Sequence, residues 1–103
     1  MTEKELKNLL EISGIPFRYN HWNSKQPLPF GVYYFPSTDN LAADGIVYNS
    51  VQNCIVELYT KDKSPQTEKA LENVLTGAEI YFEKTEVYIN AEKMYQISYE
   101  MRF

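Results

Sequence analysis

The sequence predicts an α+β fold: a mainly antiparallel sheet with an N-terminal helix and a second helix packed on one face. Three observations predict it. Apolar residues recur at helical spacing in two separate segments, near the start and between Ser64 and Gly77. The strand-like segments come in runs instead of alternating one by one with helices. The final run, Tyr95 to Phe103, alternates strictly between apolar and polar residues, as a strand with one buried and one wet face does. At 103 residues, the chain reads as a single α+β domain over 1–103.

Thr2-Glu3-Lys4-Glu5 offers a capping box, in which threonine and Glu5 satisfy each other's backbone N–H groups. Leu6, Leu9 and Leu10 follow on one face, and Gly14 ends the helix, so the expected span is Thr2 to Ser13. Phe17 to Trp22 reads as a first strand. Asn23 to Pro29 reads as a loop stiffened by Pro27 and Pro29. Phe30 to Phe35, aromatic and β-branched, is a strand that Pro36 is expected to stop.

Pro36 to Asn40 has turn composition. The whole stretch from Ser37 to Asn49 is longer than an ordinary hairpin connection, and long loops often carry function. Leu41, Ala42, Ala43, Asp44 and Gly45 at its middle are the expected contact for a partner. Ile46 to Tyr48 resumes a strand that runs through an Asn49-Ser50 irregularity into the central strand, Val51 to Thr60. There Cys54, Val56 and Leu58 share one face, and Ile55, Glu57 and Tyr59 the other.

Ser64-Pro65 starts the second helix, because serine accepts a backbone N–H at the N-cap and proline fits the first turn. Thr67, Ala70, Leu71, Val74, Leu75 and Ala78 lie on one helical face, with Gly77 near the stop. Ala78 to Glu83 is expected as a strand, Thr85 to Ile89 as a further extended segment, and Asn90 to Lys93 as a turn. In the last strand Tyr95, Ile97, Tyr99, Met101 and Phe103 share a face. It ends at the chain terminus, so its edge, if exposed, needs a neighbour or protection. Tyr99, Met101 and Phe103 are therefore assigned, with residues 41–45, to an assembly interface.

Hydrophobic residues make up 44% and charged residues 23%, ordinary for a globular protein. Aromatic content is high at 15%, with nine tyrosines, which suit half-buried strands and interfaces. A net charge of −4 gains nothing from counterion release at a phosphate backbone, so direct nucleic-acid binding is not expected. No apolar run reaches the length of a membrane span. The charged opening Met1 to Leu6 reads as helix and not as a secretory signal, so the expectation is a soluble protein of a reducing compartment.

One cysteine, Cys54, permits no intramolecular disulfide and no cysteine-rich zinc site. His21 is the single histidine and lacks a second imidazole for a metal. A Cys54–His21 dyad sits in no nucleophile motif. Glu83 and Glu86 are the nearest carboxylate pair in the strand region, but sequence shows no desolvation that would divide acid from base. The glycines Gly14, Gly31, Gly45 and Gly77 stand alone, with no phosphate-cradling loop. Asp39 and Asp44 lack the spacing of a calcium loop. No catalytic residue, cofactor or metal is assigned, and the chain is not expected to be an enzyme.

Pro27-Leu28-Pro29-Phe30-Gly31-Val32-Tyr33-Tyr34 is a proline-led aromatic strand. Glu57-Leu58-Tyr59 leads through Thr60-Lys61-Asp62-Lys63 into the helix Pro65-Gln66-Thr67-Glu68-Lys69-Ala70-Leu71. Tyr95-Gln96-Ile97-Ser98-Tyr99-Glu100 closes the pattern. In this order, over about Leu6 to Glu100, the chain resembles the small head–tail joining or tail-completion proteins, tail-terminator-like, of siphophages and prophages. The resemblance implies a structural virion-assembly role without catalytic residues. It implies a ring of copies, a hexamer, docked to neighbouring connector or tail proteins, in the cytoplasm of a bacterial host during assembly and then in the virion. The alternative reading is a small intracellular protein-binding module, dimeric, using its tyrosine-rich sheet.

Overall fold

In the computed structural model, residues 1–43 and 46–103 are described, with side chains over 1–39 and 51–103. α1 (Glu3–Glu11) is capped by Thr2, whose hydroxyl accepts from the Glu5 amide at 3.1 Å. It buries Leu6 and Leu10. Gly14, with φ of 83°, turns the chain out of it, a conformation that glycine adopts without steric cost. β1 (Phe17–Tyr19) follows, then β2 (Phe30–Ala43), β3 (Ile46–Thr60), α2 (Pro65–Gly77), β4 (Phe82–Ile89) and β5 (Met94–Arg102). The Ser64 hydroxyl caps α2 at the Thr67 amide, and Pro65 opens its first turn.

The strands form one sheet in the order β1-β2-β3-β5-β4. β1 pairs in parallel with β2, and the other neighbours are antiparallel. The architecture is α+β, as the sequence predicts, and both helices pack on the same face of the sheet. Leu6 and Leu10 of α1 and Leu71 and Leu75 of α2 meet Tyr33, Cys54, Val56, Leu58, Ile97, Tyr99 and Met101 in one core. Gly31 sits directly beneath the Phe17 ring. A Cβ there would lie 2.1 Å from a ring carbon, so the β1–β2 contact requires glycine.

Several expectations change. The first strand is shorter than Phe17 to Trp22, because Asn20 takes a positive φ of 64° and leaves the strand direction. Pro36 does not end β2. The register jumps from Tyr34↔Ile55 to Ser37↔Asn53, so Phe35 and Pro36 together oppose Cys54. Proline, which cannot donate to a ladder, is tolerated in such a bulge.

The expected loop from 37 to 49 is therefore largely strand. Leu41 pairs with Asn49, Ala42 with Val47 and Ala43 with Ile46. β5 accompanies β3 only as far as Asn53↔Arg102, with a further backbone exchange between Gln52 and Phe103. Beyond that point, among the described residues, β2 and β3 pair only with each other. They project from the sheet as a two-stranded arm, and the molecule measures 50 × 29 × 23 Å along its principal axes.

Residues 78–81, expected as strand, end α2 instead. Glu79 adopts a φ of 60°, and the Ile80 amide returns to the Leu75 carbonyl at 2.9 Å. That left-handed step with a backward amide bond is a common helix stop. β4 then begins at Phe82 and runs unbroken to Ile89. Finally, β5 is not an edge. It lies between β3 and β4, and β4 takes the edge position.

Candidate functional site

Helices cover one face of the sheet, and the strand pattern dictates what the other face carries. Phe30, Val32 and Tyr34 of β2 stand opposite Tyr59, Glu57 and Ile55 of β3. Gln96, Ser98 and Glu100 of β5 stand next to those in turn. An aromatic row begins at Trp22, whose indole N–H donates to the Gly31 carbonyl at 3.0 Å. Its ring meets Phe30 edge-on at 6.3 Å, and Phe30 stacks on Tyr59 at 5.0 Å. The Arg18 guanidinium lies 5.9 Å from the Trp22 ring centroid, within cation–π range.

Glu57 is the polar centre of this face. Its carboxylate accepts from Gln96 Nε2 at 2.9 Å, from the Tyr59 hydroxyl at 3.2 Å and from the Tyr34 hydroxyl at 3.4 Å. Burial, then the Glu57 charge, pushes the Tyr59 hydroxyl up to about 12, so it stays a neutral donor. Three donors converging on one carboxylate from β2, β3 and β5 fix the rotamers of the face. Farther along, Asp39 accepts from Asn53 Nδ2 at 3.2 Å and pairs with Arg102 at 2.6 Å, fastening the root of the arm to β5.

Two hollows flank Glu57 on this side. One, of about 400 Å³, is lined by Pro36, Ser37, Ile55, Tyr81, Glu83 and Glu100 among others. The other is broader, about 870 Å³, and includes His21, Trp22, Phe30, Tyr59, Lys61 and Met94. An aromatic wall beside acidic and amide groups is suited to a binding surface.

The residues assigned to an interface divide three ways. Leu41, Ala42 and Ala43 lie in the outer part of β2, their side chains outside the described set, and Asp44 and Gly45 fall outside the described residues. Tyr99 and Met101 point into the core, 0% and 3% exposed, so they offer no side-chain surface. The strictly alternating face to which they belong is the one the helices cover. Phe103 is half-buried and meets Phe35 edge-on at 6.3 Å.

The candidate chemical pairs come apart as well. Cys54 is buried on the helix side, whereas exposed His21 lines the hollow on the opposite side. Glu83 and Glu86 stand three residues apart in β4, so they face opposite sides. Glu86 instead pairs with Lys63. Among the described residues, no group of three or more His, Cys, Asp or Glu is placed to hold a metal ion, and no helix is long and apolar enough to cross a membrane. Burial pushes the Cys54 thiol up to about 12. In the folded protein it is expected to stay inert to an aromatic disulfide reagent at pH 8, and to release one equivalent on denaturation. Rapid reaction of the native protein would contradict that placement.

Pattern reading missed a second polar centre, at the helix–sheet seam. Glu68 in the first turn of α2 is 2% exposed. Lys63 and Lys84 approach its carboxylate to 2.8 and 2.6 Å. Lys84 also reaches Glu72 at 2.8 Å, and Glu72 accepts from the Tyr99 hydroxyl at 2.9 Å. The available signal was the position of Glu68, three and seven residues before Leu71 and Leu75 on the buried stripe.

These features define an α+β domain with an open aromatic sheet face and a projecting two-stranded arm. Neither protein-family models nor curated proteins give a match to the chain.

Proposed function

We propose that this chain is a structural virion-assembly protein of a phage or prophage, part of a head–tail junction or tail-terminator ring. It acts by self-assembly and docking to neighbouring connector or tail proteins, in the host cytoplasm and then in the virion. The observation that carries this reading is the arm. Two strands that, among the described residues, pair only with each other form backbone-rich surface that a second chain can cover. The Asp39–Arg102 pair joins its root to β5. The order of sequence motifs given above supplies the class, and repeated contacts between an arm and a neighbouring body close naturally into a ring.

The test is genetic. Deleting the gene from an inducible lysogen leaves unjoined heads and tails under the electron microscope, and supplying it in trans restores joined particles. Normal joined and infectious particles from the deletion strain would overturn the proposal, as would a source genome with no phage genes around this one.

A second reading, a protein-binding module of non-viral role, is favoured by the Trp22–Phe30–Tyr59 row, whose side chains are only half-buried. A stable host-protein complex lost on Trp22→Ala, with no particle-associated copy, would select it.

A further inference from the structure

We propose that the β4 edge pairs with β4 of a second copy of this chain, antiparallel about a two-fold axis at Thr85, making one continuous sheet across two protomers. This contact is separate from the arm and does not rest on the ring reading.

β4 is the edge strand at the end of the sheet away from β1. Its eight residues pair with β5 from Phe82↔Met101 to Ile89↔Met94 without a register shift, so no bulge twists the edge away. It contains no proline. Val87 and Tyr88 are 52% and 46% exposed, and Tyr81 just before the strand is 79% exposed. Edges are commonly protected by a lysine projecting over them. Here Lys84 is drawn back toward α2 by Glu68 and Glu72, which removes that protection.

Charge selects among the registers centred near the middle of the strand. If both helix layers stay on the same side of the joined sheet, the two-fold axis must pass through a residue. Centred on Lys84, the pairing sets lysine against lysine. Centred on Glu86, it sets glutamate against glutamate. Centred on Thr85, it sets Lys84 opposite Glu86 twice, Phe82 opposite Tyr88 twice, and threonine against threonine on the axis. Opposite charges, aromatic pairs and paired threonines are all favourable across strands, whereas like charges are not. The same register places Glu83 opposite Val87 on the open face.

Glu83 and Val87 make the test clean, because both are exposed and neither takes part in the Glu68 cluster. By sedimentation equilibrium the 12.1 kDa chain is expected to show twice that mass as concentration rises into the submillimolar range. Val87→Glu sets glutamate against Glu83 of the partner at two symmetric positions. It is expected to weaken dimerisation about tenfold or more, with circular dichroism unchanged. Adding Glu83→Lys to Val87→Glu restores opposite charge and is expected to restore the dimer. A wild-type chain that stays monomeric overturns the proposal. So does a Val87→Glu variant that dimerises like wild type, or a double variant that stays monomeric.

Discussion

Replacing Tyr99 with alanine is expected to lower the stability of the fold by about 4 kcal/mol, measured by urea unfolding at neutral pH. The side chain is fully buried in β5 at the middle of the core. Phe82 packs edge-on to its ring at 5.3 Å, and its hydroxyl donates to Glu72 across the helix–sheet seam. Truncation removes the ring and leaves a cavity beneath α2 that rigid neighbours on β3 and β4 cannot fill. A domain of this size holds about 5–15 kcal/mol in total, so the variant should show a much lower unfolding midpoint. Tyr99→Phe keeps the ring and removes one hydrogen bond, for a cost of about 1 kcal/mol. Glu72 retains Lys84 in that variant. Equal losses from the two substitutions would contradict a packing role. Unchanged stability in both would return Tyr99 to the surface role that its place in the last strand suggests.

The contrast between Tyr99 and the arm shows what a sequence of this kind makes legible. Both helices and β5 are readable because their signals are local: a cap, a stripe at three and four, a strict alternation. The pattern even places Tyr99 and Met101 on the apolar side of β5. What it cannot supply is the order of strands. That β5 inserts between β3 and β4 depends on contacts such as Cys54↔Met101, far apart in the chain. A strand that seems terminal in sequence thereby becomes interior in space.

The arm was hidden for a different reason. Pro36 and the Ser37 to Asn40 composition carry ordinary turn signals, and only pairing with β3 turns them into strand with a bulge. The bulge also reverses the side-chain phase, so Ser37 joins the open side with Asn53. The open face was legible as the Ile55, Glu57 and Tyr59 side of β3. Its hub was not, because Gln96, a donor to Glu57, comes from a strand 39 residues away.

Glu68 gives the other large effect, and its size changes with pH. Burial alone would raise its carboxyl, but hydrogen bonds and charge from Lys63 and Lys84 hold it below the usual carboxylate range. A group whose pKa is lower folded than unfolded stabilises the fold above its unfolded value, and that contribution is lost as pH falls through the folded one. Glu68→Gln keeps the size of the side chain and removes its charge. At pH 7 it is expected to cost about 2 kcal/mol. That is below the value for a fully buried broken pair, because the lysines are partly exposed and keep Glu86 and Glu72. The difference between wild type and variant should begin to shrink as pH falls below about 4, where the carboxyl of the unfolded chain gains its proton, and go on shrinking through the lower folded value. Lys63 and Lys84 shift the opposite way. Hydrogen bonds to Glu68 and Glu86 raise Lys63; for Lys84, burial would lower it, but hydrogen bonds to Glu68 and Glu72 prevail and raise it. Their contribution is complete below the ordinary lysine range and fades only as pH rises through their folded values. Wild type and Glu68→Gln compared by urea unfolding from pH 3 to 8 should therefore diverge through the acid range and run parallel above it. No difference between the two at any pH would mean that Glu68 acts through shape alone. The seam between α2 and β4 would then be held by the apolar contacts of Leu71, Leu75 and Phe82, with the charges adding nothing.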